Sequence, residues 1–226
     1  GFGLSRLKAR VAPEAAPPSQ GTFGATELER YARHLVLREL GGPGQKKLKN
    51  ARGLVIGAGG LGSPVLMYLA AAGVGTIGVV DDDIVDHSNL QRQVIHRDET
   101  IGTAKVHSAT EAMHALNPYV HLRPYQRRLT ADLAQKLFAE YDVIIDGTDN
   151  FTTRYLSNAA AVALEKPLVS GALAQWEGQL SVFDPARGGP CYQCIFPTAP
   201  SEGLAPSCSE AGVVAPLPGI IGSMMA

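Results

Sequence analysis

VIGAGGLGSP, Val55 to Pro64, is the stretch on which the fold turns. The apolar run GLVIG, Gly53–Gly57, reads as a buried strand, and Leu61–Ala72 reads as a helix. Between them Gly57, Gly59, Gly60 and Gly62 make a GxGGxG turn. Glycines there permit a tight reversal and let backbone N–H groups approach a phosphate, with the helix N-terminus favouring its charge. Asp81 closes the next strand, TIGVVD, where an acid accepts hydrogen bonds from ribose hydroxyls. The competing explanation is a helix–strand contact that needs small residues. The strand–turn–helix context favours the phosphate reading. A dinucleotide and ATP both offer phosphates and a ribose, so the turn alone does not divide them.

Composition sets the bounds. The 226 residues suit one large domain or two small ones, and 45% hydrophobic residues can bury a sizeable core. A formal net charge of −1 excludes the global basic field that grips nucleic acid or an anionic membrane. Gly53 to Val80 carries no charge, but eight glycines and a proline interrupt it. It reads as the heart of an α/β domain and not as a membrane span. The three cysteines, Cys191, Cys194 and Cys208, are odd in number and clustered, which argues for a reducing cytoplasm and not a disulfide framework. The chain begins with Gly1 and not Met, so the natural start is expected upstream.

Residues 1–24, rich in Ala, Pro and Ser, read as a flexible tail ahead of an ATP-binding domain over 25–226. TELE fits a capping box from Thr26 to Glu29, opening a helix through Leu40 that GGPG then breaks. Strands and helices then alternate. Helices are expected at Thr103–Leu116, Ala131–Ala139 and Phe151–Leu164, and strands at His121–Tyr125, DVIIDG and PLVSG. ALAQWEGQLSVFD gives two alternating runs around Glu177-Gly178, a hairpin that adds antiparallel strands at one side. The predicted class is α/β, Rossmann-like: a mostly parallel central sheet, helices on both faces and an antiparallel hairpin extension. Pro185–Gly212 is a long Pro/Gly/Ser-rich loop holding all three cysteines, a length more often functional than idle. PLPGIIGSMMA resembles the first turns of a helix on which the chain stops.

The polar residues beyond the strand ends decide between the nucleotides. DDDIVDHSNLQRQVIH places Asp83, Asn89, Arg92 and Gln93 on the ligand side of such a sheet, and Lys105 opens the next helix. Asp149 and Asn150, in DGTDN, end a later strand on the same rim. Hydride transfer needs a nicotinamide slot and one proton donor. Attack at phosphorus needs cations on the non-bridging oxygens, Mg²⁺ on the polyphosphate and a carboxylate to hold it. Arg92, Lys105 and Asp149 supply those types. Taken singly, each has an ordinary explanation: a solvated surface charge for Arg92 or Lys105, a helix N-cap for Asp149-Asn150. His87, His96 and His107 read as packing or surface residues.

Cys191 and Cys194 form CxxC, the spacing of half a structural zinc site, which normally needs four ligands. Cys208 makes three at most, and no histidine follows His121. A redox dithiol and two idle thiols are the rivals, but the helix-start context of redox CxxC proteins is absent from the sequence, which favours zinc.

RYARHLVL, GAGGLGSP, VVDDDIVDHSNLQRQ, IGTAKV, DGTDN, VSGALAQWEGQLSVF, CYQC and CSEAGVVAPLPGIIGS together resemble the ubiquitin-activating-enzyme superfamily. More narrowly, they resemble the bacterial MoeB and ThiF adenylyltransferases of sulfur-carrier proteins. The resemblance runs from about Glu29 to Ala226, and SNLQRQ with TDN is its most specific part. It implies binding of Mg·ATP, adenylation of the C-terminal glycine carboxylate of a ubiquitin-like carrier ending in Gly-Gly, and release of pyrophosphate. A sulfur donor, a cysteine desulfurase or a rhodanese, then serves molybdopterin or thiamine synthesis. By the same resemblance Asp81 holds the ribose, Asn89, Arg92 and Lys105 contact phosphates, and Asp149 holds Mg²⁺. Arg33 reaches the ATP of a neighbouring subunit in a homodimer. Cys191 and Cys194 hold Zn²⁺ with a second CxxC further on, so a truncated C-terminal end is expected. Cys208 matches a cysteine that in some members links covalently to the carrier. His34 departs from the Gln often found beside that arginine. The alternatives are an NAD-dependent dehydrogenase, a silent carrier-docking subunit, and adenylation of a small molecule or a tRNA base.

Overall fold

The computed structural model describes residues 23–201 and 211–226. Helices α1 (Ala25–Arg30), α2 (Ala32–Leu35) and α3 (Gly41–Asn50) lead into β1 (Arg52–Ile56), α4 (Gly62–Ala72) and β2 (Thr76–Val80). There follow α5 (Lys105–Leu116), β3 (His121–Tyr125), α6 (Ala131–Ala139), β4 (Val143–Asp146) and α7 (Phe151–Ala163). β5 (Leu168–Leu173), β6 (Gly178–Phe183), the one-turn α8 (Tyr192–Ile195) and a helix over Pro216–Met225 complete the described chain. The strand order is β3-β2-β1-β4-β5-β6, parallel through β5, with β6 antiparallel to β5. The expected α/β class holds.

The apolar strands are buried on both faces, and alternation divides their side chains between two cores. Leu54, Ile56, Val80 and Ile144 face α6 and α7, with Phe138 and Tyr141. Val55, Ile77, Val79 and Ile145 face α4, α5 and helix Pro216–Met225, with Leu66 and Met113. Burying each such side chain contributes about 1.5–3 kcal/mol. Both faces are therefore closed by helices, and ligand access is confined to the strand ends. β1 sends its two neighbours, β2 and β4, to opposite sides, and a crevice opens at that switch point beyond the strands' carboxyl ends. No described helix is long and apolar enough to cross a membrane.

Four local expectations fail. The helix expected through Leu40 breaks at Tyr31, because tertiary contacts override the local pattern. The Tyr31 ring is buried, and its hydroxyl accepts from Asn117 Nδ2 at 2.8 Å. GGPG does not break a helix but opens α3, since a proline near a helix start gives up no needed N–H. The cap of α1 also differs: Glu27, not Glu29, reaches back to the N–H of Gly24 at 3.1 Å. The hairpin adds one strand, not two. Ala172 and Leu173 extend β5, and the reversal spans residues 174–177, closed by the Ala174 N–H to the Glu177 carbonyl at 2.8 Å.

The N-terminal helices are fastened at one end of the domain. Lys49 pairs with Glu27 at 2.7 Å, His34 Nδ1 meets Gln45 Oε1 at 2.8 Å, and Gln45 Nε2 donates to the Ala72 carbonyl at 2.8 Å. Asn117 Nδ2 also donates to the Ala70 carbonyl at 2.7 Å. Ala70 and Ala72 lie at the C-terminal end of α4, while the glycine turn lies at its start.

Candidate active site

A cleft of about 390 Å³ opens at the switch point. It is lined by Gly57, Gly59 and Gly60 from the turn, Asp81 and Asp83 beyond β2, Arg92 and Gln93, Lys105 at the start of α5, and Asp149 and Asn150 beyond β4. The structure thus gathers ten of the expected residues at one place. Gly57 takes φ +93, a left-handed conformation that side chains rarely adopt. Gly62 does not line the cleft. It closes the turn from behind, where a Cβ would collide with the Gly57 carbonyl oxygen. Asn89 is not among the lining residues either; its Oδ1 accepts from the Asp86 N–H at 3.1 Å and shapes the loop.

Each charged group has a definite setting. Asp81 Oδ2 accepts from the Ala58 N–H at 2.8 Å, and its Oδ1 from the Asp83 N–H at 2.8 Å. Burial pushes this carboxyl up, while those two hydrogen bonds and Lys105 pull it back. Lys105 is 7% exposed and pairs with Asp83 Oδ2 at 2.8 Å, so its ammonium is held at the cleft wall. Arg92 Nη1 donates to the Ser88 carbonyl at 2.9 Å. Gln93 is buried, and its Oε1 has no hydrogen-bond partner among the described residues, leaving an acceptor for a ligand donor beside the glycine turn. Asn150 caps α7, its Oδ1 accepting from the Thr153 N–H at 2.9 Å. Asp149 is exposed and makes no hydrogen bond or ion pair with described residues, so the capping explanation applies to Asn150 alone.

The chain also places in the cleft residues the sequence reading missed. Arg127 and Arg128 follow β3, and a position just past a parallel strand was signal enough. Thr148, two residues past β4, carries the same signal; Arg154 carries none, because its role depends on partners across the sheet. Arg33 stays away from this cleft. It follows Tyr31 by two residues, on the part of the chain fastened to the far end of α4, whose 11 residues span about 16 Å.

Two donor sets suit cations. The Asp149 carboxylate, without a partner among the described residues, is a hard oxygen donor of the kind Mg²⁺ takes alongside substrate phosphates. Cys191 Sγ and Cys194 Sγ lie 3.6 Å apart. Two thiolates on one tetrahedral zinc stand about 3.8 Å apart, so the pair fits two corners of such a site. Burial pushes the Cys191 thiol up, yet hydrogen bonds from Asn158 and the Cys194 turn together bring it below its ordinary value. Cys191 is the N-cap residue of α8, so the helix start missing from the sequence reading is present. Cys208 lies outside the described residues.

His96 lies behind the turn, as packing. Its Nε2 meets the Ala58 carbonyl and its Nδ1 the Ser108 hydroxyl, both at 2.9 Å. A carbonyl only accepts, so Nε2 carries a proton and donates it to Ala58. Burial holds the imidazole below its usual 6.5; the Ala58 bond opposes this and Lys105 adds to it. The unfolded chain therefore binds more protons, and stability from His96 is whole above pH 6.5 and lost as pH falls below it. His96→Gln is expected to cost about 1–2 kcal/mol at neutral pH and above. Denaturant titrations across the pH range check this: the gap to the parent should narrow below pH 6.5, and a constant gap refutes it.

Comparisons with known proteins place the chain in a family. The model of the ThiF family matches residues 31–226. The chain is 53% identical over 202 residues to the probable adenylyltransferase/sulfurtransferase MoeZ of Mycobacterium tuberculosis, covering 88% of this chain and 52% of that protein. It is 50% identical over 204 residues to the sulfur carrier protein adenylyltransferase of Thermus thermophilus, covering 88% of this chain and 75% of that protein. The chain thus spans about half of the first relative. Among solved structures, E. coli MccB with MccA-N7isoASN aligns with TM-score 0.74 at 21% identity, covering 92% of this chain and 64% of that one, a likeness of fold alone. On the family match and on these identities, the chain belongs to the ThiF family.

Proposed function

We propose that this chain is the adenylation domain of an enzyme that activates the C-terminal carboxylate of a ubiquitin-like sulfur carrier with ATP. The observation that carries the reading is the convergence of the glycine turn with Arg92, Lys105 and Asp149, which has no partner among the described residues, in one cleft. A nicotinamide cofactor gives no use for that set. The names of the relatives point the same way: an adenylyltransferase/sulfurtransferase in one case and a sulfur-carrier adenylyltransferase in the other.

In this reading the ATP phosphates lie on the turn at the start of α4, with the ribose toward Asp81. The carrier's carboxylate has a reference pKa near 3.5, so it is already an anion at neutral pH and needs no general base. A carboxylate oxygen bonds to the α-phosphorus, the bond from that phosphorus to the bridging oxygen breaks, and pyrophosphate leaves with the electron pair. Arg92 and Lys105 neutralise the charge that develops. Asp149 would hold Mg²⁺, which shields the polyphosphate. Cys191 and Cys194 would hold half of a zinc site whose remaining ligands lie outside the described residues. A homodimer with shared sites, a separate sulfur donor, use in molybdopterin or thiamine synthesis, and a cytoplasmic setting complete the proposal.

ATP–pyrophosphate exchange tests it. Exchange should appear only when a small carrier ending in Gly-Gly is added to the full protein. Protection by NADH but not by ATP in a thermal shift, with no exchange from folded protein, would overturn the assignment.

A further inference from the structure

Arg154 is a cation in an unexpected place. It is the fourth residue of α7, near the end of the helix dipole that disfavours positive charge, and only 4% exposed. It has no direct ion pair among the described residues. Its three hydrogen bonds go to neutral acceptors: Nη2 to the Thr148 carbonyl at 2.7 Å, and Nη1 to Ser170 Oγ at 2.8 Å and the Gly171 carbonyl at 2.9 Å. The ring of Tyr192, 5.7 Å from the guanidinium carbon, covers it. A cation buried this way costs stability unless an opposite charge is near or its fork of donors is needed; the buried Asp146 carboxylate attracts it across space without a direct ion pair.

What the fork holds is Thr148. The other side of the same residue is held by Asp146, whose Oδ1 accepts from the Thr148 N–H at 2.9 Å and from its hydroxyl at 2.6 Å. Thr148 is thus pinned at its N–H, its hydroxyl and its carbonyl. The next residue is Asp149, whose own carboxylate has no described partner to orient it.

We propose that Arg154 is a positioning residue: it ties the Thr148 carbonyl to β5 and thereby fixes the Asp149 carboxylate where Mg²⁺ on the nucleotide is met. This rests on the adenylation reading for its ligand, but the clamp itself does not. Lysine retains the charge and loses the fork, since one ammonium cannot bridge the Thr148 loop carbonyl and the β5 acceptors with the same geometry.

The test uses Arg154→Lys and Ser170→Ala in the full protein, with two readouts. The first is the Mg²⁺ concentration for half-maximal carrier-dependent exchange at saturating ATP. The second is amide hydrogen exchange at Thr148, Asp149 and Asn150 against amides of β1. Arg154→Lys should raise the Mg²⁺ requirement about tenfold or more, the scale for loss of a residue that orients a metal ligand. It should also speed loop exchange while β1 stays protected. Ser170→Ala should move both readouts the same way by less, and it decides the matter if Arg154→Lys does not fold. A lower maximal rate or melting temperature, with the Mg²⁺ requirement and loop exchange unchanged, overturns the proposal in favour of a purely structural arginine. If the parent protein shows no exchange, the adenylation reading fails, and the amide comparison alone decides whether Arg154 holds the loop.

Discussion

Asp149→Asn is expected to lower carrier-dependent ATP–pyrophosphate exchange by roughly 10²- to 10³-fold, the scale for losing one preorganised electrostatic contact. It should leave folding stability within about 0.5 kcal/mol, as for an exposed side chain without structural partners. The two halves of this expectation have one cause. Asp149 is exposed and makes no hydrogen bond or ion pair with described residues. The neighbouring carboxamide does the structural work, since Asn150 Oδ1 accepts from the Thr153 N–H at 2.9 Å. Asn150→Ala should therefore cost about 1 kcal/mol through the lost cap. Measuring exchange and denaturant midpoint on both variants separates the roles. An Asp149→Asn protein that exchanges at the parental rate would remove Asp149 from the chemistry. One that unfolds early would return it to the scaffold.

The core of the fold was legible because it is written in short-range patterns. Gly53–Ile56 and DVIIDG are apolar runs bounded by turns, and buried parallel strands leave no other signature. The glycine turn and the residues just past β2 and β4 could be placed for the same reason, since the carboxyl ends of parallel strands face the ligand. What was not legible depends on partners distant in sequence. Nothing local to Tyr31 announces Asn117, 86 residues away, yet that bond accompanies the break between α1 and α2. Arg154 reads as an ordinary helical arginine until β4 and β5 bring Thr148, Ser170 and Gly171 around it. The CxxC pair was visible, but not its helix cap or the Asn158 amide that donates to Cys191 Sγ at 3.6 Å.

Arg33 makes the sharpest demand on quaternary structure. Arg33→Ala should lower exchange by roughly 10²- to 10³-fold although the residue is absent from its own cleft. The segment that carries it is fastened at the C-terminal end of α4, through Tyr31 with Asn117 and through His34 with Gln45. The glycine turn is at the opposite end of that helix, farther than an arginine side chain extends. If Arg33 serves the chemistry, it serves a second copy of the chain, and subunit mixing reveals this. Arg33→Ala and Asp149→Asn proteins, each inactive alone, are combined in equal amounts and allowed to exchange subunits. Half of the dimers then pair one of each, and in those one site regains both residues while the other has neither. Activity should recover to about a quarter of the parental level. No recovery, with subunit exchange verified, would mean that each subunit supplies its whole site. An Arg33→Ala protein that exchanges normally would mean that this arginine serves the N-terminal packing and not the reaction.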